Sequence, residues 1–286
     1  MKVSVKILAL VMALVLAVPA LVACGGKKDK VTAKVIDIEL TNEDYAFGVD
    51  KDQPELLASV NEFIKEIKDN GKLDEICNKY FGDGTPTPVT SAALDESKDQ
   101  LVVATNAAFE PFEYMDGDKY LGIDMEIAAL LAEKLGKELV ISNMDFDAVC
   151  LSVGQHKCDV AMAGLTVKES RLEYVTFSDT YYKAAQKLIV RSDDTAFDAC
   201  KTAEDVVKIL DTLTSDTKIG AQNGTTGALY IKGDEEMEFK GLKATAVGYK
   251  NGSLAVSDML NGNIQYVIID AAPADAITKA VNSVNG

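Results

Sequence analysis

From residue 100 onward, apolar runs with strand-like spacing alternate with segments of helical spacing. Leu101 to Thr105, Glu138 to Ser142, Asp159 to Ala163, Lys187 to Val190, Lys218 to Ala221 and Ile264 to Ile269 read as strands. Asp124 to Leu135, Asp147 to Val153, Thr202 to Leu213 and Ser253 to Leu260 put their apolar residues on one helical face. This alternation predicts an α/β protein with largely parallel sheets. Ligands of such sheets bind beyond the carboxyl ends of the strands, which directs attention to the residues that follow each one.

Those residues form a consistent set. Thr105-Asn106 follows the first strand, with Phe109 in the loop beyond; Asp145-Phe146 follows the second and Gly164-Leu165-Thr166 the third. Gln222-Asn223-Gly224-Thr225-Thr226 follows the strand at 218, and Asp270 the strand at 264. Thr166 and Glu169 fit a capping box, so a helix is expected to open near Thr166 with its free amides pointing out of the turn. Those amides, the helix dipole and Arg171 one turn on converge on an anion, and the planar guanidinium matches both oxygens of a carboxylate. Gly164 lets a ligand approach the main chain. With Asp270 for an ammonium and Arg171 for a carboxylate, the set suits a zwitterion. A capped helix with a solvated arginine, a core role for Phe109 and Phe146, and a helix N-cap at Asp270 before Pro273 are the plainer alternatives for each residue alone.

The N-terminus changes where this chemistry is expected to take place. Lys2 and Lys6, the apolar stretch Ile7 to Val22 and the small residues after it read as an export signal, residues 1–23. Leu21-Val22-Ala23-Cys24 before Gly25-Gly26 resembles the lipobox of bacterial lipoproteins, which implies acylation of Cys24 and a tether to the cell membrane, with a stalk over residues 24–33. The formal net charge is −16, and loss of the two signal lysines takes it to about −18, which argues against nucleic acid as a partner. Cys77, Cys150, Cys158 and Cys200 match no zinc spacing, and their pairing is left open. His156, in the polar turn Gln155-His156-Lys157, is expected at the surface, and neither a cofactor nor a metal is implied.

Taken together, Leu101-Val102-Val103-Ala104-Thr105 with Phe109-Glu110-Pro111-Phe112-Glu113-Tyr114, Asn143-Met144-Asp145-Phe146, Ala163-Gly164-Leu165-Thr166 through Arg171, Phe177 to Tyr182 and Gly224-Thr225-Thr226-Gly227 resemble the extracellular solute-binding proteins of polar amino acid ABC transporters. The resemblance implies a two-lobed type II periplasmic-binding fold. It also implies that Arg171 and Thr166 hold the ligand carboxylate with main-chain donors near Thr225 and Thr226. Gly164 and Asp270 would receive the ammonium, Phe109 and Phe146 would flank the side chain, and Asn106 and Gln222 would meet its tip. Where an acid would suit a cationic tip, Asn106 is neutral; Glu110 would add charge if it faced inward.

One departure from the family is large. The segment from Val35-Ile36-Asp37-Ile38-Glu39-Leu40 to Lys79-Tyr80-Phe81-Gly82, which normally closes these chains, here stands first. The order is that of a circular permutation, with a solvent-exposed linker at 83–98 rich in Thr, Ser, Pro and Ala. Residues 46–182 would form lobe 1, the strand at 34–40 would cross back to residues 188–286 in lobe 2, and the hinge would run near Thr41 to Tyr45 and Lys183 to Gln186. The expected function is a lipid-anchored, monomeric, extracytoplasmic receptor that delivers a glutamine-like amino acid, or arginine, lysine or cystine, to a permease. A sensing partner of a signalling receptor, and an enzyme of the cyclohexadienyl dehydratase kind, are the alternatives. The positions at Asn106 and Gln222 carry no general acid or base for the latter.

Overall fold

A computed structural model describes residues 30–285 of the chain; the signal, Cys24 and most of the stalk lie outside the described residues. Two five-stranded mixed sheets organise the rest. One runs in the order Val175–Phe177, Gly48–Asp50, Val160–Ala161, Gln100–Thr105, Glu138–Asn143. The other runs Ala33–Ile36, Gln186–Arg191, Tyr266–Asp270, Lys218–Gln222, Thr245–Tyr249. We call the halves built on them the first and second lobes. A ribbon of Glu43–Tyr45 against Tyr182–Ala184 lies where the chain passes between them.

The helical spacing that predicts parallel strands describes only part of each sheet. Gln100–Thr105 pairs in parallel with Glu138–Asn143, and Lys218–Gln222 with both Thr245–Tyr249 and Tyr266–Asp270. The antiparallel partners, such as Ala33–Ile36 on Gln186–Arg191 and Gly48–Asp50 on Val175–Phe177, are strands that flank the ribbon. They enter or leave a lobe without a crossover helix, so no parallel connection constrains their direction.

Helices cover the sheets for reasons local to each sequence. Pro54–Asp69 has Pro at its start, Glu55 in its first turn and Lys68 in its last, and buries Val60, Phe63, Ile64 and Ile67 as one stripe. Ile123–Leu135 begins after Gly122, whose φ is +125° and whose Cβ would stand 2.1 Å from the Phe112 carbonyl oxygen. Only glycine passes there, and the tight entry sets Asp124 at the buried end of the helix. Ala203–Leu210 is shorter than its apolar spacing suggests; it starts at a reciprocal capping box between Thr202 and Asp205. Pro54–Asp69, Lys72–Phe81 and the long helix Ala271–Asn285 add to the helices read from spacing.

Two expectations are corrected. The third strand spans only Val160–Ala161: Met162 N–H makes the last ladder bond to the Ala104 carbonyl, and Gly164 beyond it takes φ +53°. The segment 83–98 is not a free connector along its whole length. Val89 is buried against Met125 and Ile141, and exchanges two backbone hydrogen bonds with Tyr120 at 2.8 and 3.0 Å. Thr87 N–H reaches Glu126 and Ala92 N–H reaches the Leu139 carbonyl, so the middle of the segment is stitched to the first lobe.

Candidate functional site

Asn106, Phe109, Phe146, Gly164, Thr166, Arg171, Gln222, Thr225, Thr226 and Asp270 line one narrow cleft. The first six come from the first lobe and the last four from the second. Most lie at or just beyond a strand end: Gln222 and Asp270 are the last residues of their strands, and Asn106 directly follows Thr105, whereas Arg171 sits in the turn Glu169–Glu173. Phe146 opens the helix Phe146–Gly154, and Thr225 caps the helix Thr226–Lys232.

Arg171 is held from three sides. Its Nη1 donates to the Thr166 carbonyl at 2.7 Å, its Nη2 to the Gly224 carbonyl at 3.3 Å, and its guanidinium carbon stands 5.4 Å from the Phe146 ring centroid. The two carbonyls belong to different lobes, so the guanidinium bridges the closed faces. The surrounding turn differs from the sequence expectation. Residues Glu169–Glu173 form a single 3₁₀ segment that begins after Lys168, without a side-chain cap. Thr166 caps nothing: its hydroxyl donates instead to Glu43 Oε2 at 2.7 Å. A hydroxyl can donate and accept at once, so the bond to Glu43 does not itself forbid a cap; the helix simply opens at Glu169, three residues beyond Thr166.

Asp270 is the buried acid of the site. Its Oδ1 accepts from the Tyr45 hydroxyl at 2.5 Å. Burial pushes its carboxyl up to about 7, the nearby Glu43 charge adds to this, and the Tyr45 hydrogen bond opposes it. Gly164 N–H donates to Asp124 Oδ2 at 2.9 Å, and a Cβ on Gly164 would meet the Phe109 ring at 2.9 Å. Across the cavity, Gln222 Nε2 donates to Asn106 Oδ1 at 2.9 Å while Asn106 Nδ2 donates to the Met144 carbonyl at 2.6 Å. Gln222 Oε1 is buried with no partner among the described residues.

Behind the lining stand polar groups that strand-end reasoning did not find. Glu43, in the ribbon, accepts from Thr41, Thr166 and Gln186. Gln186 in turn donates to the Thr226 hydroxyl at 3.0 Å, so one buried carboxylate connects both faces of the cavity. Asp124 accepts from Gly164 and from the Tyr181 hydroxyl at 2.6 Å, and burial raises its carboxyl to about 7. Glu113 is fully buried with both oxygens unpartnered among the described residues; burial first, then the charges of Asp124 and Asp270, push it well above the carboxylate range. An acid on the inward face of an apolar helix, as Asp124 is after Ile123, was the one signal of this layer in the sequence.

Other expected residues lie elsewhere. Glu110 is outside the cavity, on a surface groove shared with Lys279. His156 is exposed, as a surface histidine would be, yet its Nδ1 lies 2.8 Å from the buried Asp50, a hydrogen bond that raises its pKa. Cys77, Cys150, Cys158 and Cys200 are free thiols. No helix of the described residues is long and apolar enough to cross a membrane.

The description "Bacterial extracellular solute-binding proteins, family 3" matches residues 8–83 and 101–271. Among curated proteins, the arginine-binding extracellular protein ArtP of Bacillus subtilis is 33% identical over 36% of this chain and 41% of its own length. The ABC transporter arginine-binding protein 1 of Escherichia coli K12 is 27% identical over 61% of this chain and 64% of its own. The chain therefore spans less than two thirds of these relatives. Among solved structures, the arginine-bound truncated ArgBP of T. maritima superposes with a TM-score of 0.52 at 32% identity, covering 64% of this chain and 78% of that one. An ancestral amino acid-binding protein, AncCDT-1, described as a precursor of cyclohexadienyl dehydratase, gives 0.54 at 26% identity over 73% and 78%.

Proposed function

We propose, for a chain that belongs to the family 3 bacterial extracellular solute-binding proteins and has their type II periplasmic fold, that it captures a polar L-amino acid between its lobes and presents it to an ABC importer. The observation that carries this reading is the pairing, within one cavity, of Arg171 with Asp270, a fixed guanidinium and a buried carboxyl. The first suits an α-carboxylate, with Thr166, Thr225 and Thr226 beside it; the second suits an α-ammonium, with Gly164 beside it. Charge-assisted hydrogen bonds of ~1.5 to 3 kcal/mol each would favour the closed form, in which both ends are met at once.

The side-chain end of the cavity is neutral. Phe109 and Phe146 flank it, and Asn106 with Gln222 supplies amide groups rather than a charge. That supports a glutamine-like ligand. Arginine is the second reading, favoured by the names of the relatives and by the free acceptor Gln222 Oε1. A lipid anchor on Cys24 rests on the sequence around that residue.

The permuted order is part of the proposal. The family match leaves out residues 84–100, nearly the segment read as the joining linker. Asn282 of the last helix clamps Ala33 through hydrogen bonds of 2.8 and 2.9 Å to its N–H and carbonyl, which brings the segments that the family runs consecutively side by side. A thermal-shift screen of the soluble chain against the twenty L-amino acids and cystine tests the function. Stabilisation by one or two polar members supports it; a folded protein that responds to none of them refutes it.

A further inference from the structure

The lobes touch at a second place, beyond Arg171 and outside the cavity. Lys168, on the first lobe, is only 6% exposed, and its ammonium lies 3.0 Å from Asp234 and in contact with Glu236. Both acids sit on the second lobe, in the loop after the helix Thr226–Lys232. Asp234 is fixed there by a backbone bridge to Phe239 and by the Met237 N–H at 3.0 Å. Glu236 does more than neutralise the lysine. It accepts from the Glu169 N–H and, at 3.3 Å, from the Ser170 N–H, the two amides that open the turn carrying Arg171.

None of the three side chains lines the cavity. A lysine so buried would be costly unless paired, because its charge has lost most of its water. Its partners come entirely from the other lobe, so separating the lobes returns Lys168 to solvent and frees the turn. We infer that Lys168, Asp234 and Glu236 form an inter-lobe latch that holds the lobes closed with or without ligand and seats the Arg171 turn, so that these positioning residues set affinity without touching the ligand. The inference rests on the reading of capture between lobes.

The energetics follow from population shift. A ligand that binds the closed form has an apparent dissociation constant equal to the intrinsic one divided by the closed fraction. Loss of the latch lowers that fraction and frees the turn of Arg171, which meets the carboxylate common to every amino acid, while the side-chain end at Asn106 and Gln222 is unaltered. The latch is also selective in its effect: it changes affinity for every amino acid the site accepts by one factor, whereas a change at Asn106 or Gln222 would alter their ratio.

The test compares wild type, Glu236→Gln, Lys168→Met and the double variant by calorimetry with L-glutamine and L-arginine, and by small-angle scattering with no amino acid added. Glu236 is on a surface loop, so Glu236→Gln is expected to fold even if Lys168→Met does not; circular dichroism checks both. Each single change is expected to weaken binding about tenfold for both amino acids alike and to enlarge the radius of gyration. The double variant should bind more tightly than the product of the two single effects predicts, because both changes break the shared Lys168–Glu236 contact. Unchanged affinity and radius of gyration in Glu236→Gln would overturn the latch, as would fully additive effects in the double variant. If wild type binds neither amino acid, the capture reading for them fails, and the radius of gyration alone decides whether the contact holds the lobes together.

Discussion

Protons compete with an amino acid for Asp270. Its side chain is buried, and its carboxyl stands at about 7 against an ordinary value of 3.8, because burial and the Glu43 charge outweigh the Tyr45 hydrogen bond. An ammonium is met well only by the carboxylate. Well below pH 7, each ligand bound must therefore displace close to one proton, and affinity falls by up to about tenfold per pH unit, roughly 50-fold between pH 7 and pH 5. Folding has the opposite sign. A carboxyl whose pKa rises on folding contributes stability that is complete below the unfolded value and is lost as pH climbs through the folded one. For Asp270 and Asp124 that window runs from about 4 to about 7, and the shift of Glu113 has the same direction. Without ligand, the melting temperature should fall from pH 5 to pH 8, while the stabilisation by ligand grows. Titration calorimetry at pH 5, 6, 7 and 8, in two buffers of different ionisation enthalpy, reads both the affinity and the protons released. Asp270→Asn should bind weakly and show no slope. A wild-type affinity that is flat from pH 5 to pH 8, with no proton released at pH 6, would refute the reasoning.

Three further outcomes follow from particular contacts. Tyr45→Phe removes the bond that favours the Asp270 carboxylate, so the midpoint of the pH profile should move upward; an unmoved midpoint would mean that Tyr45 does not tune this acid. Gly164→Ala places a methyl 2.9 Å from the Phe109 ring at a φ of +53°, and should lower both the melting temperature and the affinity, the latter by about tenfold or more. Deletion of residues 31–40 removes the edge strand Ala33–Ile36 from the second sheet and should abolish ligand binding while the first lobe stays folded by circular dichroism; a deletion variant that still binds would contradict the permuted topology.

What was legible from the sequence was the geometry of strand ends. Asn106, Gly164, Gln222 and Asp270 each follow or end an apolar run, and a sheet that buries its strands has to release them at one edge. What was not legible came from long separations. Glu43 meets Thr166 across 123 positions and Tyr45 meets Asp270 across 225, and neither pairing leaves a periodic trace. The Thr166-x-x-Glu169 spacing misled for the same reason: a capping box is a local preference, and here the turn opens only at Glu169 while the Thr166 hydroxyl is turned to Glu43 of the ribbon. The composition of 83–98 suggested solvent, yet one valine with a free apolar slot on the first lobe was enough to pin its centre. Antiparallel strands beside the ribbon were likewise invisible, since direction is set by the crossing between lobes rather than by any residue pattern.

The central claim is that Arg171 holds the carboxylate of an amino acid bound between the lobes. Calorimetric titration of L-glutamine and L-arginine into wild type and Arg171→Ala at pH 8 tests it most directly. Loss of two charge-assisted hydrogen bonds, at ~1.5 to 3 kcal/mol each, should weaken binding by at least about 100-fold in a variant that keeps its fold. An unchanged dissociation constant in Arg171→Ala would contradict the claim.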